Sequence, residues 1–264
     1  MENGNMQPQN EMNYDASSGY DAPGRPARRG RATLIAVIAL LAVTAFFARE
    51  QLLKIRNAEV IGLVSLTREE VLAQAGISAS STYFSLNEEK IRERINDNRY
   101  LEFVSLERVW PSGVILVVNE RQPVANILHM GVQYVISQDG MVLESSSQIT
   151  LDNGCMKVTG MNVRDIRVGS VMVCQRTERL EAMQALLLEL QLQQITGKIS
   201  ELNLASLDSI YLVTVDGYTA NLGDAQELRA KIGTVRAVVE ELRRRGLSGG
   251  MIEATVPGQA SYRP

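Results

Sequence analysis

The clearest pattern along the chain is one long apolar run, which is followed by shorter amphipathic segments. Residues 32–48 (ATLIAVIALLAVTAFFA) carry no charge, and a helix of that length would measure about 25 Å. Such a helix is at the short end of what crosses a bilayer. The run therefore predicts a transmembrane helix over residues 32–52, which a polar, disordered tail (1–31) precedes and a globular region follows.

Basic residues flank the apolar run unequally. Four arginines stand close together before it, and three more widely spaced basic residues follow it: Arg25, Arg28, Arg29 and Arg31, then Arg49, Lys54 and Arg56. Positive charge favours the cytoplasmic side, so we expect a cytoplasmic N-terminus and an extracytoplasmic C-terminal bulk. A cleaved signal peptide is the alternative, because Val43–Thr44–Ala45 fits a small-residue cleavage rule, although the preceding stretch is long for a signal.

The residues after the apolar run alternate in a way that predicts a small domain of order β-α-α-β-β over 53–121. Two capping boxes, Thr67–Glu70 and Ser85–Glu88, predict the starts of its helices. Apolar alternation predicts its strands at residues 55–61, 104–110 and 113–121.

The apolar pattern over residues 122–257 predicts a larger domain with a mixed α/β sheet. Its helices are expected at residues 177–194 and 225–245, and a last strand at 251–255. The remaining strands are expected at 125–129, 133–136, 141–144, 155–160, 171–174, 199–203, 210–215 and 218–222. Residues 258–264 are predicted to be a loose tail. The fold class is therefore α+β behind a single transmembrane helix.

Composition excludes several classes of function. The net charge of −3 lies entirely in residues 49–264, and a slightly acidic domain is poorly suited to nucleic acid, because phosphate contacts need a basic face. Aromatic residues make up only 5% of the chain, which leaves little material for stacking on sugars or bases.

Candidate chemistry is sparse. His129 is the only histidine, and no Cys-x-x-Cys, His-x-x-x-His or nucleophile-elbow pattern occurs. We therefore predict no catalysis, no cofactor, no metal and no small-molecule substrate. Cys155 and Cys174 leave two alternatives open: a disulfide in an oxidising compartment, or two small buried apolar residues.

Short motifs recur in a fixed order along the chain. The most specific joins the two predicted domains, Val117-Val-Asn-Glu-Arg-Gln-Pro-Val-Ala125. The others are Val60-Ile-Gly62, Gly76-Ile77, Leu106-Glu-Arg-Val-Trp-Pro111, Val135-Ile-Ser-Gln-Asp-Gly140, Lys157-Val-Thr-Gly160, Val168-Gly169, Asp216-Gly-Tyr-Thr-Ala-Asn-Leu-Gly223, Lys231 and Met251-Ile-Glu-Ala-Thr255. In this order the chain resembles the FtsQ/DivIB family of bacterial cell-division proteins, whose first outer domain is a POTRA domain. Glu253 departs from the family, which more often has Asp there, and neither cysteine belongs to a family motif.

The resemblance implies a non-catalytic, bitopic scaffold of the divisome that is enriched at the division septum. It implies partners of the FtsB/DivIC and FtsL types, which are small single-pass coiled-coil proteins. Polypeptide transport is a rival function because POTRA domains also occur there, but transport proteins carry repeated POTRA units and a β-barrel. A membrane-tethered envelope sensor is a further rival, and it would need a larger cytoplasmic module than residues 1–31.

The predicted partner-binding site is the last strand. A strand formed late in the chain often lies at a sheet edge, where its backbone can pair with another chain. The candidate residues are Met251, Ile252, Glu253, Ala254 and Thr255. The alternative is that this strand closes the sheet and the tail covers it.

Arg244 and Arg245 belong to a basic cluster at the end of the last predicted helix. One interpretation is that they complement the helix dipole. The other, on which they join the candidate site, is that they hold an acidic segment of the partner.

Overall fold

The structure is a computed structural model that describes residues 33–44, 54–82, 84–110, 112–149 and 153–264. It divides into two units, Met1–Gln51 and Leu52–Pro264. In the first unit, residues 33–44 form helix α1; the predicted tail (1–31) and the rest of the predicted transmembrane segment lie outside the described residues. Within the described ranges, no helix is both long enough and apolar enough to cross a membrane.

The second unit begins with a domain of the predicted order β-α-α-β-β. Its elements are β1 (Asn57–Ile61), α2 (Arg68–Ala75), α3 (Glu88–Asn96), β2 (Leu101–Val109) and β3 (Gly113–Glu120). The sheet order is β1-β3-β2, with β1 parallel and β2 antiparallel to β3. Val71 of α2 and Ile95 of α3 are buried against Leu116 of the central strand in one core.

One of the two predicted capping boxes is confirmed. The Thr67 side chain accepts from the Glu70 N–H, and the Glu70 carboxylate accepts from the Thr67 N–H. The second box is wrong, because α3 starts later than predicted. Its N-cap is Asn87, whose side chain accepts from the Lys90 N–H, and Ser85 instead bonds within the preceding loop.

The larger domain is built on a nine-stranded sheet that bears a small two-stranded ribbon. Its strands in chain order are β4 (Ala125–His129), β5 (Val132–Ile136), β6 (Val142–Ser146), β7 (Met156–Thr159), β8 (Val163–Asp165), β9 (Val173–Cys174), β10 (Ile199–Ser206), β11 (Ser209–Thr214), β12 (Tyr218–Gly223), β13 (Gly250–Glu253) and β14 (Ser261–Arg263). The large sheet has the order β14-β13-β12-β11-β10-β7-β4-β5-β6, and β8 pairs with β9.

Two helices bury their apolar sides against this sheet. They are α4 (Thr177–Leu192) and α5 (Leu228–Arg244), and a short 3₁₀ turn, Thr196–Lys198, follows α4. Leu187 of α4 and Ile232 of α5 are buried in the same core as Leu202 of β10. The predicted combination of a small β-α-α-β-β domain with a large mixed sheet is thus confirmed.

The C-terminal tail differs from the sequence prediction. Residues 258–264 were expected to be loose, but β14 pairs antiparallel with β13. Tyr262 explains the attachment: its ring packs against the core, and its hydroxyl donates to the Gly249 carbonyl at 3.1 Å. A Cβ on Gly250 would lie 2.7 Å from the Tyr262 ring, so this glycine is what allows the ring to approach.

Gly160, which ends the Lys157-Val-Thr-Gly motif, gives a test of the fold. It has φ +78°, and a Cβ there would lie 2.2 Å from the backbone nitrogen of Ala205. We expect Gly160→Ala to lower the free energy of unfolding by about 3 kcal/mol or more, since both the left-handed backbone and the clash oppose it. Denaturant unfolding followed by circular dichroism measures this.

Gly131 is the matched control in the same domain. It has φ +79°, but a Cβ there meets no atom within 4 Å. Gly131→Ala should therefore cost only the backbone strain, about 1–2 kcal/mol. Equal costs for the two variants would contradict the importance of the close approach between Gly160 and Ala205.

Candidate partner-binding edge and domain junction

The last predicted strand is present, but it is not the edge of the sheet. β13 pairs parallel with β12 on one side and antiparallel with β14 on the other. The expectation that this strand is the edge of the sheet is therefore corrected in favour of the alternative that the tail covers it: β14 is the edge strand. The cause is the attachment of Tyr262 described above.

The five predicted residues of the last strand divide into two groups. Ile252 and Ala254 are completely buried in the core, whereas Met251 and Glu253 are partly exposed and Thr255 is exposed. This alternation is what a strand with one core-facing side produces. Ile252 and Ala254 consequently hold the strand in place, and only the other three side chains can meet a partner.

Glu253 links the three strands at this end of the sheet. Its carboxylate accepts from Nδ2 of Asn221 on β12 at 3.0 Å and from Nη2 of Arg263 on β14 at 3.3 Å. The Arg263 pair is largely exposed, and exposed ion pairs contribute little stability. β14 is thus attached by three residue pairs, the ring and the hydroxyl hydrogen bond of Tyr262, and a weak ion pair.

The arginines at the end of α5 form a cationic corner, which we define as Arg244 and Arg245. Both pair with Glu241, at 2.5 and 2.7 Å respectively. The hydrogen bond from Arg245, together with the charge of Arg244, lowers the pKa of Glu241. Two cations share this one carboxylate, and both are well exposed. The corner therefore carries more positive charge than Glu241 neutralises, just before the loop that leads into β13.

The second site joins the two domains and lies in the motif Val117–Ala125, whose sequence alone gives no role to its charged residues. Glu120 occupies a core-facing position at the end of β3, where its neighbours on that face are apolar, and it is only 6% exposed. Its carboxylate accepts from three consecutive backbone N–H groups of the loop before α2: Val64 at 2.6 Å, Ser65 at 3.0 Å and Leu66 at 3.1 Å. The Ser65 hydroxyl also donates to it.

These contacts explain the acidity of Glu120. Burial alone raises the pKa of a carboxyl group, but the hydrogen bonds from Ser65, Val64 and Leu66 outweigh burial and bring the pKa of Glu120 to about 2. The charged form is therefore the one that holds the loop in place.

Arg121, the next residue, connects the first domain to the second. Its guanidinium donates to the Leu101 carbonyl of β2 at 2.7 Å and to the Asp139 carboxylate of the β5–β6 turn at 2.8 Å. The side chain is 9% exposed, and Glu102 lies 3.5 Å away. Burial tends to raise the pKa of Asp139, but the hydrogen bonds from Ser137 and Arg121 lower it.

The residues considered for chemistry stand apart from both sites. His129 ends β4 and is partly exposed, and Cys155 and Cys174 are free thiols in this structure. Burial raises the pKa of both thiols, which makes them poor nucleophiles at neutral pH. Within the described ranges, no group of three His, Cys, Asp or Glu side chains is arranged to hold a metal ion.

Comparison with known proteins agrees with this architecture. The family model described as "POTRA domain, FtsQ-type" matches residues 53–121. The chain thus contains an FtsQ-type POTRA domain, which precedes the larger sheet domain.

Similar proteins with established names are cell-division proteins. The chain is 22% identical to cell division protein DivIB of Clostridium acetobutylicum over 64% of each chain. It is 23% identical to DivIB of Clostridium tetani over 85% of this chain and 83% of that one. It is 31% identical to cell division protein FtsQ of Geotalea daltonii over 40% and 36% of the two lengths. The chain thus spans less than two thirds of two of these relatives. The resemblance to the FtsQ/DivIB cell-division proteins is confirmed.

A solved structure is also similar, the major extracytoplasmic domain of DivIB from Geobacillus stearothermophilus. The match has a TM-score of 0.30 and 15% identity, and it covers 48% of this chain and 97% of that one.

Glu120 predicts a specific pH dependence. Its pKa is lower in the folded protein than the ordinary value of 4.5, so the unfolded chain takes up the proton first as the pH falls. The stabilisation by Glu120 is complete above about pH 5 and is lost towards pH 2, and it amounts to about 3 kcal/mol. Glu120→Gln should remove it at neutral pH and flatten the acid limb of the stability curve, as measured by denaturant unfolding from pH 7 to pH 2.5.

Glu59 on the neighbouring strand supplies the control. Its side chain is exposed, so Glu59→Gln should change the free energy of unfolding by no more than about 0.5 kcal/mol. If the wild-type protein and Glu120→Gln lose stability in parallel below pH 5, the assigned role of Glu120 is wrong.

Arg121 should hold the two domains in one relative orientation. Replacing it by methionine keeps an unbranched apolar stem but removes the guanidinium that donates to the Leu101 carbonyl and to the Asp139 carboxylate. Spin labels would be placed at Glu107 and Glu240, which are both exposed. We expect the distribution of distances between them, measured by pulsed electron–electron double resonance, to become at least about twofold broader. An unchanged distribution would show that other contacts fix the orientation.

Proposed function

We propose that this chain is a non-catalytic, bitopic scaffold of the bacterial divisome, which links components of septal cell-wall synthesis through extracytoplasmic protein–protein contacts. The FtsQ-type POTRA domain and the relatives named as cell-division proteins support the cell-division role. On this proposal the N-terminus is cytoplasmic, residues 32–52 are the anchor, and the protein is enriched at the division septum.

Helix α1 supports the proposed anchor. Its large apolar residues, which include Leu34, Ile35 and Leu40, are all more than half exposed. A helix that is apolar on every side is stable only if a membrane or other protein surrounds it. Together with the uncharged run of residues 32–48, this favours a helix that is surrounded by lipid.

The observation that carries the partner-binding proposal is the weak hold of β14 on β13. A three-residue strand occupies the backbone edge of β13, and a longer partner strand would form more main-chain bonds there. We infer that a partner strand replaces β14 and pairs with β13, where it contacts Met251, Glu253 and Thr255. An acidic stretch of the partner would then meet Arg244 and Arg245 at the cationic corner.

The proposed partners are the small coiled-coil division proteins of the FtsB/DivIC and FtsL types, as the family resemblance implies. Nucleic acid and small-molecule substrates have no place in this function, since the surface is slightly acidic overall and the site is a strand edge.

If a partner strand replaces β14, two variants should change the affinity for the partner in opposite directions. A chain that ends at Gly258 lacks β14 and should bind the partner ectodomains at least about tenfold more tightly, because binding no longer requires β14 to leave. A disulfide that locks β14 onto β13 should instead weaken binding of the partner ectodomains. Met251 and Arg263 are paired residues on β13 and β14, close enough for a disulfide when both are changed to cysteine.

The lock is best made with Cys155→Ala and Cys174→Ala, so that only the new pair can form. The affinity for the partner ectodomains, measured by biolayer interferometry, should fall by at least about tenfold in the oxidised protein and recover on reduction. If the lock has no effect and the shortened chain loses binding, the partner pairs with the outer side of β14, and replacement is wrong.

A further inference from the structure

The β2–β3 turn of the POTRA domain presents an unusual side chain to solvent. Trp110, the only tryptophan in the chain, is 78% exposed. Val109 beside it is also exposed. Tryptophan has an apolar body and a polar N–H, which suits a boundary between apolar and wet surroundings, and contiguous exposed apolar side chains are a feature of interaction sites.

Backbone pairing places this turn at the end of the domain where the chain enters. The Arg56 N–H donates to the Ser112 carbonyl at 2.9 Å, directly after Trp110–Pro111 in the chain. Asn57, the first residue of β1, lies opposite Gly113 at the start of β3. The tip of the turn and the first described residues after the predicted anchor therefore lie side by side.

A second exposed aromatic residue belongs to the same end. Lys54 pairs with Thr82 in an isolated bridge, and the Arg108 guanidinium donates to the Leu86 carbonyl at 2.9 Å. Phe84 lies between these two attachment points and is 66% exposed. We define the aromatic end of the POTRA domain as Trp110, Val109 and Phe84.

The length of the connecting chain limits what can cover the aromatic end. The apolar run ends at Ala48, and the residues from there to Lys54 span at most about 20 Å when fully extended. The headgroup region on one side of a bilayer is roughly 5–8 Å thick. If residues 32–48 cross the membrane, the aromatic end is tied within a short reach of the lipid surface.

Basic side chains lie at the turn and at the entry of the chain, namely Lys54, Arg56 and Arg108. The nearby acidic side chains are Glu59 and Glu107, both opposite Ile115, and Glu88 and Glu89 in the first turn of α3. Basic residues beside the apolar tip favour anionic headgroups, and tryptophan is enriched where apolar and wet environments meet.

We propose that the aromatic end of the POTRA domain binds the lipid headgroup layer, with Trp110 inserted at the interface, and so holds the domain against the membrane. The proposal rests on the anchor in the proposed function. It adds a second, independent contact with lipid that is made by the folded domain itself.

Trp110 is its own probe, because no other residue gives tryptophan fluorescence. The full-length chain would be reconstituted into vesicles of phosphatidylethanolamine and phosphatidylglycerol, with or without lipids brominated near the glycerol backbone. We expect brominated lipid to reduce the emission at least about twofold and the vesicles to shield Trp110 from iodide, as an interfacial indole requires. Emission that brominated lipid leaves unchanged, with full iodide access, would overturn the proposal and leave this surface for a protein partner.

A double variant supplies the matched control. Trp110→Phe with Val104→Trp moves the single tryptophan from the turn to an exposed position within β2, about 20 Å farther from the tip. Brominated lipid should not quench that variant, and equal quenching of both proteins would overturn the proposal.

Flotation of the same vesicles tests the membrane anchor separately from the interfacial contact of Trp110. If the full-length chain does not float with lipid, the anchor is wrong and this proposal falls with it. If the chain floats and Trp110 is not quenched, only the interfacial contact is wrong.

Discussion

The interaction on which the second unit depends is the pair of adjacent charges at the end of β3. Glu120 is directed into the POTRA core, where its carboxylate accepts from three backbone N–H groups. Arg121 donates both to a carbonyl of β2 and to the β5–β6 turn of the large domain. A buried charge is tolerated only when it is fully paired. The two residues therefore constrain both the start of α2 and the position of one domain against the other.

Local structure was predictable from sequence wherever neighbours along the chain determine it. The Thr67 capping box is an example, since it depends on residues within one turn of the chain. The cap of α3 shows the limit of such reasoning. Ser85 and Asn87 are both good N-cap residues, and the competing bond of Ser85 within its own loop decides between them.

Long-range features were not predictable in the same way. The donors to Glu120 are backbone N–H groups that lie 54 to 56 residues earlier, so no side-chain pattern reveals them. The cover of β13 by β14 is similarly hidden, because it depends on Tyr262 reaching a gap that Gly250 leaves open. In the candidate strand, alternation allowed the separation of Ile252 and Ala254 from the exposed residues, but only once the core-facing side was known.

The positions of these features suggest why two adjacent charged residues are kept buried at the end of β3, beside the junction of the two domains. Three sites follow one another along the second unit: the aromatic end where the chain enters, the Glu120–Arg121 junction, and the β13–β14 edge near the C-terminus. A hinge at the junction would let the edge move freely relative to the chain entry. Hydrogen bonds to charged groups are directional and among the stronger ones in proteins, so they fix an orientation as well as a distance. A buried guanidinium that bridges two domains can thus hold the β13–β14 edge in a defined direction, which apolar contacts alone would do less strictly.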